Sequence, residues 1–443
     1  MRDNTLEKNE KSGIMIENIK KILQSSLLKN TGIYTITSVI NSAIPFFLLP
    51  ILTRSMTPED YGLVSMFTLL VTFAAPFVGL SVNGAITRKY YERESVNIWQ
   101  YVFNCFLILV GSTLLTGLVL WIFSKPISVV SAFPLGSLWM VILYSFCQFT
   151  TSIILSLWQV QKKSFFYGLF TNIQTLINFT LSIILVVGLN LGWRGRVYGQ
   201  VITLAFFAAL TIIILMKNKW IRVSFNKEYM IDALKFGVPL IPHALSSSII
   251  SMTDRFFITN MVGLAATGVY TAGYQIGSII NLLAVSFNNA YVPWLFEKLK
   301  EDNYNTKVKI VKFTYLYYLG IFLLACILGF LAPPFLGAFL GKSFSESGKY
   351  VFWVAVGYAF NGMYFMVVNY IFYSKETKLL TMVTFVTSII NIILNYFFIK
   401  AFGAIGASQA TTVVFALKFF MVWVLAAKVY KMPWKTALTV NKS

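Results

Sequence analysis

The stretch SMTDRFF, residues 251–257, places Asp254 and Arg255 side by side in an apolar run that extends from Leu240 to Leu264. Such a run is long enough to cross a bilayer as a helix. A charge buried there costs at least roughly 2.5–3.5 kcal/mol on insertion scales, so something must offset it. A guanidinium is suited to bidentate contact with phosphate, which makes Arg255 the first candidate for meeting an anionic ligand. Asp254 is the candidate for carrying a coupling proton or for pairing across helices. Neighbouring residues on a helix point about 100° apart, so a simple local ion pair is not expected to explain the two. The alternatives are snorkelling to the interface and a structural inter-helix pair. Lys418 is the other basic residue inside an apolar run. Arg88 and Lys89 end one run and Lys312 opens another. They are candidates for receiving phosphate at a mouth, although anchoring at the membrane surface explains them more simply. Arg54 closes the first run at its far end and is a further candidate.

The elements that must position these groups follow from composition. Of 443 residues 57% are hydrophobic and only 12% charged, with mean hydropathy +0.72, about half the charge of a soluble chain. Apolar runs recur at 31–53, 61–83, 99–123, 137–158, 166–190, 198–216, 237–260, 267–291, 310–332, 350–372, 379–399 and 404–427. The expectation is an all-α polytopic membrane protein with about 12 transmembrane helices. Residues 1–30 are polar and charged with no small-residue cleavage pattern, so no cleavable signal is expected. With this spacing 27 of the 36 Lys and Arg fall on the side of both termini and 7 on the other. That asymmetry places both termini in the cytoplasm, and it accounts for most of the net charge of +20 without nucleic acid. Cys105, Cys147 and Cys326 lie in apolar runs and suggest no disulfide framework. They and the single His243 build no metal site, and no Gly-rich Lys loop for a nucleotide is present; no cofactor is expected.

The chain also repeats. Setting Gly62 against Gly268 sets Asn83 against Asn289 at the same shift of 206, and Gly192–Gly195 resembles Gly403–Gly406 at a shift of 211. The first span of each half carries two prolines, Pro45 and Pro50, then Pro239 and Pro242. Prolines free backbone carbonyls and permit bending, so these four are hinge candidates. Six spans per half give both halves one orientation, a parallel repeat about an axis along the membrane normal. The division expected is a tail 1–30, a six-helix lobe 31–216, a linker 217–236, a second six-helix lobe 237–427 and a tail 428–443, with the lobes around a central cavity. Asn178, Gln275, Asn281, Asn288, Asn289, Asn391 and Asn395 lie within the spans, either for binding hydroxyls or for interhelical bonds.

LLPILTRSMTPEDYGLVSMF (48–67), LKFGVPLIPHAL (234–245) and DRFFITNMVGLAATGVYTAGY (254–274) resemble the two half-starts of the Wzx-type polysaccharide and O-antigen flippases. These are the polysaccharide transporters of the multidrug/oligosaccharidyl-lipid/polysaccharide exporter superfamily. The resemblance covers about 31–430. It implies a two-lobed, twelve-helix fold in the bacterial inner membrane and a cargo of undecaprenyl-pyrophosphate-linked oligosaccharide, with membrane lipid and other polysaccharide-assembly proteins as partners. The alternatives are a multidrug cation antiporter of the same superfamily and a murein-precursor lipid flippase. The antiporter usually needs acidic residues in the cavity, and span one has none. A membrane polysaccharide polymerase or glycosyltransferase would need a sizeable loop or paired carboxylates. Neither is present, so the chain is not expected to be an enzyme.

Overall fold

The computed structural model describes residues 26–435, and the tails expected at 1–30 and 428–443 fall partly outside that range. The first half contains α1 (Ser26–Ser55), α2 (Pro58–Gly79), α3 (Val82–Tyr90), α4 (Ile98–Ile122), α5 (Ser124–Ser131), α6 (Trp139–Val160), α7 (Ser164–Ile183) and α8 (Gly192–Lys217). The second contains α9 (Lys227–Gly237), α10 (Ile241–Met261), α11 (Leu264–Gly277), α12 (Ile279–Lys300), α13 (Tyr304–Leu331), α14 (Pro333–Leu340), α15 (Gly348–Tyr373), α16 (Thr377–Phe402) and α17 (Ala404–Val429). No strand occurs among the described residues, and 12 helical passages are long and apolar enough to cross a membrane. The all-α, twelve-span, two-lobed architecture read from the sequence is the one observed. Each half also carries the same irregularity, an eight-residue helix after its third span, α5 in one and α14 in the other.

Local sequence sets the ends. The Thr57 side chain accepts from the Asp60 N–H and Pro58 occupies the first turn of α2, where its missing N–H costs nothing. Asn97, Asn226 and Asn303 cap α4, α9 and α13 in the same way. Pro45 and Pro50 lie inside α1, which continues through both. Pro239 instead falls in a 3-10 turn, Val238–Leu240, and Pro242 opens α10. The first helix of the first half is continuous through its prolines, whereas that of the second half is interrupted at them. Several passages run longer than the apolar runs indicate, most of all the seventh, which begins at Lys227, and the eighth, which ends at Lys300. The first of these extensions is the amphipathic helix α9, whose charged face hydropathy trims away. Residues 227–237 are therefore helix within the segment read as a linker. The stretch 218–237 is also held against the first half: Arg222 N–H donates to the Trp99 carbonyl, Trp99 stacks on Trp220, and Asp232 accepts from Tyr101 Oη.

The lobes share one core at one end and have separate cores at the other. Leu48, Leu52 and Phe67 of the first half pack in a single cluster with Ala272, Ile276, Phe344 and Val351 of the second. Toward the chain termini, one cluster runs from Val78 to Ala233 and another from Ile280 to Met432. The seam of the shared end is α2 against α11, and it joins residues related by the repeat. A Cβ on Gly268 would lie 1.9 Å from the Pro58 carbonyl oxygen, and one on Gly62 would lie 2.3 Å from that of Leu264. Pro58 and Leu264 are themselves 206 residues apart, so the contact is self-complementary, as at a two-fold interface. One turn further, the Ser65 and Thr271 hydroxyls, again 206 apart, meet at 2.9 Å. Only glycine permits backbones this close.

Candidate functional site

Beside this seam, between the lobes, lies a cavity of about 280 Å³ whose walls come from α1, α2, α8, α10 and α11. Apolar side chains of α1, among them Leu48, Leu49 and Leu52, form one wall; Arg196, Gln200, Arg255, Tyr274 and Gln275 supply polar atoms. Tyr61 Oη donates to Gln275 Oε1 at 2.8 Å and closes the cavity across the lobes.

Arg255 reaches the cavity wall from α10, with Asp254 behind it. Contrary to the expectation from adjacent positions, the two form a local ion pair: Arg255 Nη1 lies 2.8 Å from Asp254 Oδ1 and 3.0 Å from Oδ2. Cα–Cβ directions do diverge, but the long arginine side chain folds back along its own turn, where Nη1 also donates to the Ser251 carbonyl. Asp254 further accepts from the Arg255 backbone N–H and from Tyr270 Oη. The carboxylate is thus saturated, and the pair is almost fully sequestered, with 2% and 5% of its surface exposed. The guanidinium carbon sits 4.1 Å from the Tyr274 ring centroid, a cation–π contact that further offsets its burial.

The second cavity cation is Arg196, which the hydropathy boundary at 198 leaves in a loop. In the structure α8 starts at Gly192, so Arg196 is one turn inside it and lines the cavity. Its Nη1 donates to Asn178 Oδ1 at 2.7 Å and Ser182 Oγ at 2.6 Å, both on α7. Both partners are neutral, and among the described residues no carboxylate pairs with it. Gln200, one turn on, lines the same cavity with its Oε1 buried and without a hydrogen-bond partner. The cavity therefore holds two guanidiniums against one carboxylate, and the excess charge resides on Arg196.

The other candidates lie elsewhere. Arg88 Nη2 is 2.5 Å from Asp232 Oδ2 and stacks on Phe236, which fastens α3 to α9. Lys89 Nζ is 2.7 Å from Glu92. Lys312 is half-buried in α13. Lys418 is half-buried with its Nζ 4.0 Å from the Tyr364 ring centroid. Arg54 donates to the Ala338 carbonyl of α14 at 2.5 Å, an interlobe contact. None of these five lines the interlobe cavity. Most of the in-span amides bond to other protein groups: Asn281 to Asn361, Asn288 to Asn369, and Asn391 to Asn395.

The Asp254–Arg255 pair has a measurable consequence. Removing one member of a buried pair strands the other charge and costs roughly 3–5 kcal/mol, whereas removing both does not. Asp254→Ala and Arg255→Ala are each expected to lower the unfolding temperature sharply in detergent. The double variant is expected to lose clearly less than the sum of the two; simple additivity would contradict the pairing.

Two six-span lobes with a polar cavity between them define a multi-pass membrane transporter. A family model described as polysaccharide biosynthesis protein matches residues 27–299, and the chain belongs to that family, the one its half-starts resemble. A second model, described as MatE, matches residues 239–397. An uncharacterized membrane protein of Haemophilus influenzae is 27% identical over 401 residues, covering 88% of this chain and 92% of the relative. A protein of Shigella dysenteriae named "Putative O-antigen transporter" is 25% identical over 328 residues, covering 73% of this chain and 80% of its own length. Among solved structures, the lipid II flippase MurJ in an inward closed conformation superposes with TM-score 0.74 at 16% identity, over 94% of this chain and 90% of that one. At that identity the likeness concerns the fold.

Proposed function

We propose that this transporter moves a lipid-linked oligosaccharide with a phosphate-bearing lipid end, an undecaprenyl-pyrophosphate-linked repeat unit of O-antigen, capsule or a similar surface polysaccharide, across the bacterial cytoplasmic membrane. The observation that carries this reading is the charge of the interlobe cavity: Arg196 and Arg255 against Asp254 alone. A pyrophosphate entering a low-dielectric cavity needs fixed cations to offset its desolvation. Arg196, with no acid of its own, meets it first. Arg255 follows by exchanging Asp254 for phosphate, and the released carboxylate is then placed to take up a coupling proton. The apolar wall from α1 suits the lipid side of the cargo. A cation antiporter would need the opposite sign, so the net positive cavity argues against that reading despite the MatE match.

With both termini cytoplasmic, as the 27-to-7 distribution of basic residues implies, the separate cores lie on the cytoplasmic side, where such cargo is made. The lobes 31–216 and 237–427 then rock about the α2–α11 seam, with bending at Pro45, Pro50, Pro239 and Pro242. The test is complementation of a flippase-deleted strain with surface polysaccharide as readout. Restoration is expected. Failure by a stably inserted chain, across strains differing in repeat-unit sugar, would sink the reading.

A further inference from the structure

A second cavity, of about 600 Å³, lies at the shared-core end but outside the interlobe cavity, and its wall includes Lys342, Ser343, Glu346, Lys349, Tyr350 and Phe402. We propose that it binds a carboxylate-bearing sugar, a uronate in the glycan of the cargo; this rests on the reading that the cargo is a glycan. Its volume falls in the range of about 300–1,000 Å³ common to small-molecule sites.

The charges select a monoanion. Lys349 Nζ pairs with Glu346 at 2.7 Å, and these two cancel. Lys342 has no ion-pair partner among the described residues and leaves one net positive charge. Its own turn is fixed, because Ser345 Oγ donates to the Lys342 carbonyl at 2.8 Å. Ser343 and Ser345, both exposed, bring hydroxyls to the same wall, and the exposed ring of Phe402 offers a flat apolar surface. Hydroxyls beside one cation and one aromatic face match a uronate ring, whose edge is polar and whose C–H face is not. One wall residue, Pro58, comes from the first half of the chain and sits in the α2–α11 seam.

The experiment uses the full chain in phosphatidylcholine nanodiscs and isothermal titration with a glucuronate-containing disaccharide and its uncharged methyl ester. The acid is expected to bind roughly tenfold or more tightly than the ester, and Lys342→Ala to remove that preference. Arg196→Ala is expected to bind the acid as the unmodified chain does. Equal affinity for acid and ester, or indifference to Lys342→Ala, would overturn the proposal. So would loss of binding in Arg196→Ala, which would place the anion in the interlobe cavity. Complementation by the unmodified chain involves none of these ligands, so failure of the glycan-transport reading is seen separately.

Discussion

Arg196→Ala is expected to reduce transport more cleanly than any other substitution in the cavity, and to do so in a chain that still folds. Arg196 is the cation with no carboxylate; its guanidinium rests on Asn178 and Ser182. Truncation strands no buried charge, only the neutral side chains of Asn178 and Ser182. Each charge-assisted hydrogen bond to phosphate contributes about 1.5–3 kcal/mol, so loss of one or two corresponds to roughly 10- to 100-fold or more in affinity for the phosphate-bearing end. Arg196→Lys keeps the charge without the planar fork and is expected to retain part of the rate. The measurement is the initial rate in proteoliposomes, with the unfolding temperature as control. Arg255→Ala is a poorer probe, because it also leaves Asp254 buried without its counter-ion. A normal rate in Arg196→Ala at normal stability would remove this residue from the mechanism.

The second large effect is expected at the seam. Ser65 and Thr271 hydroxyls lie 2.9 Å apart across α2 and α11, and a disulfide needs Cβ atoms about 3.5–4.5 Å apart. The Ser65→Cys/Thr271→Cys variant is expected to cross-link under mild oxidation, to lose transport while oxidised and to recover on reduction. The native Cys105 and Cys147 are buried, and the half-buried Cys326 is replaced by Ser in the background used for cross-linking. Adding Gly268→Ala is expected to slow cross-linking, because its Cβ would meet the Pro58 carbonyl at 1.9 Å. Full transport by the oxidised protein would mean that the seam need not open.

The twelve spans and the duplication were legible because hydropathy and glycine placement are strong, local signals. Gly62 and Gly268, paired from the sequence by a shift of 206, meet in the structure because the repeat axis passes between them. The placement of Arg255 in the cavity wall was legible too, since a lone arginine in an apolar run has few other places to go. Its bond to Asp254 was missed, because helix geometry fixes Cβ directions and says little about where a long side chain folds. Arg196 was missed for a different reason. GWRGR (192–196) reads as a polar turn, and a hydropathy boundary discards the first turn of α8. A usable signal was present: Arg196 and Gln200 are four apart, as are Asn178 and Ser182, so each pair shares a helix face. Two polar stripes on consecutive spans mark a polar seam. The unequal breaking of the two proline-bearing spans follows from where the prolines fall: Pro45 and Pro50 lie deep inside α1, whereas Pro239 and Pro242 stand at the start of α10.

Passage of an anionic, lipid-linked glycan through the interlobe cavity is open to direct measurement. The most direct measurement follows a labelled undecaprenyl-pyrophosphate-linked oligosaccharide in proteoliposomes, scoring access of its sugar to an impermeant lectin from the opposite leaflet. Access is expected to rise with time for the unmodified chain, to fall by roughly 10-fold or more for Arg196→Ala, and to be unaffected by a lipophilic cation. No movement of the glycan, together with accumulation of the cation, would contradict the account.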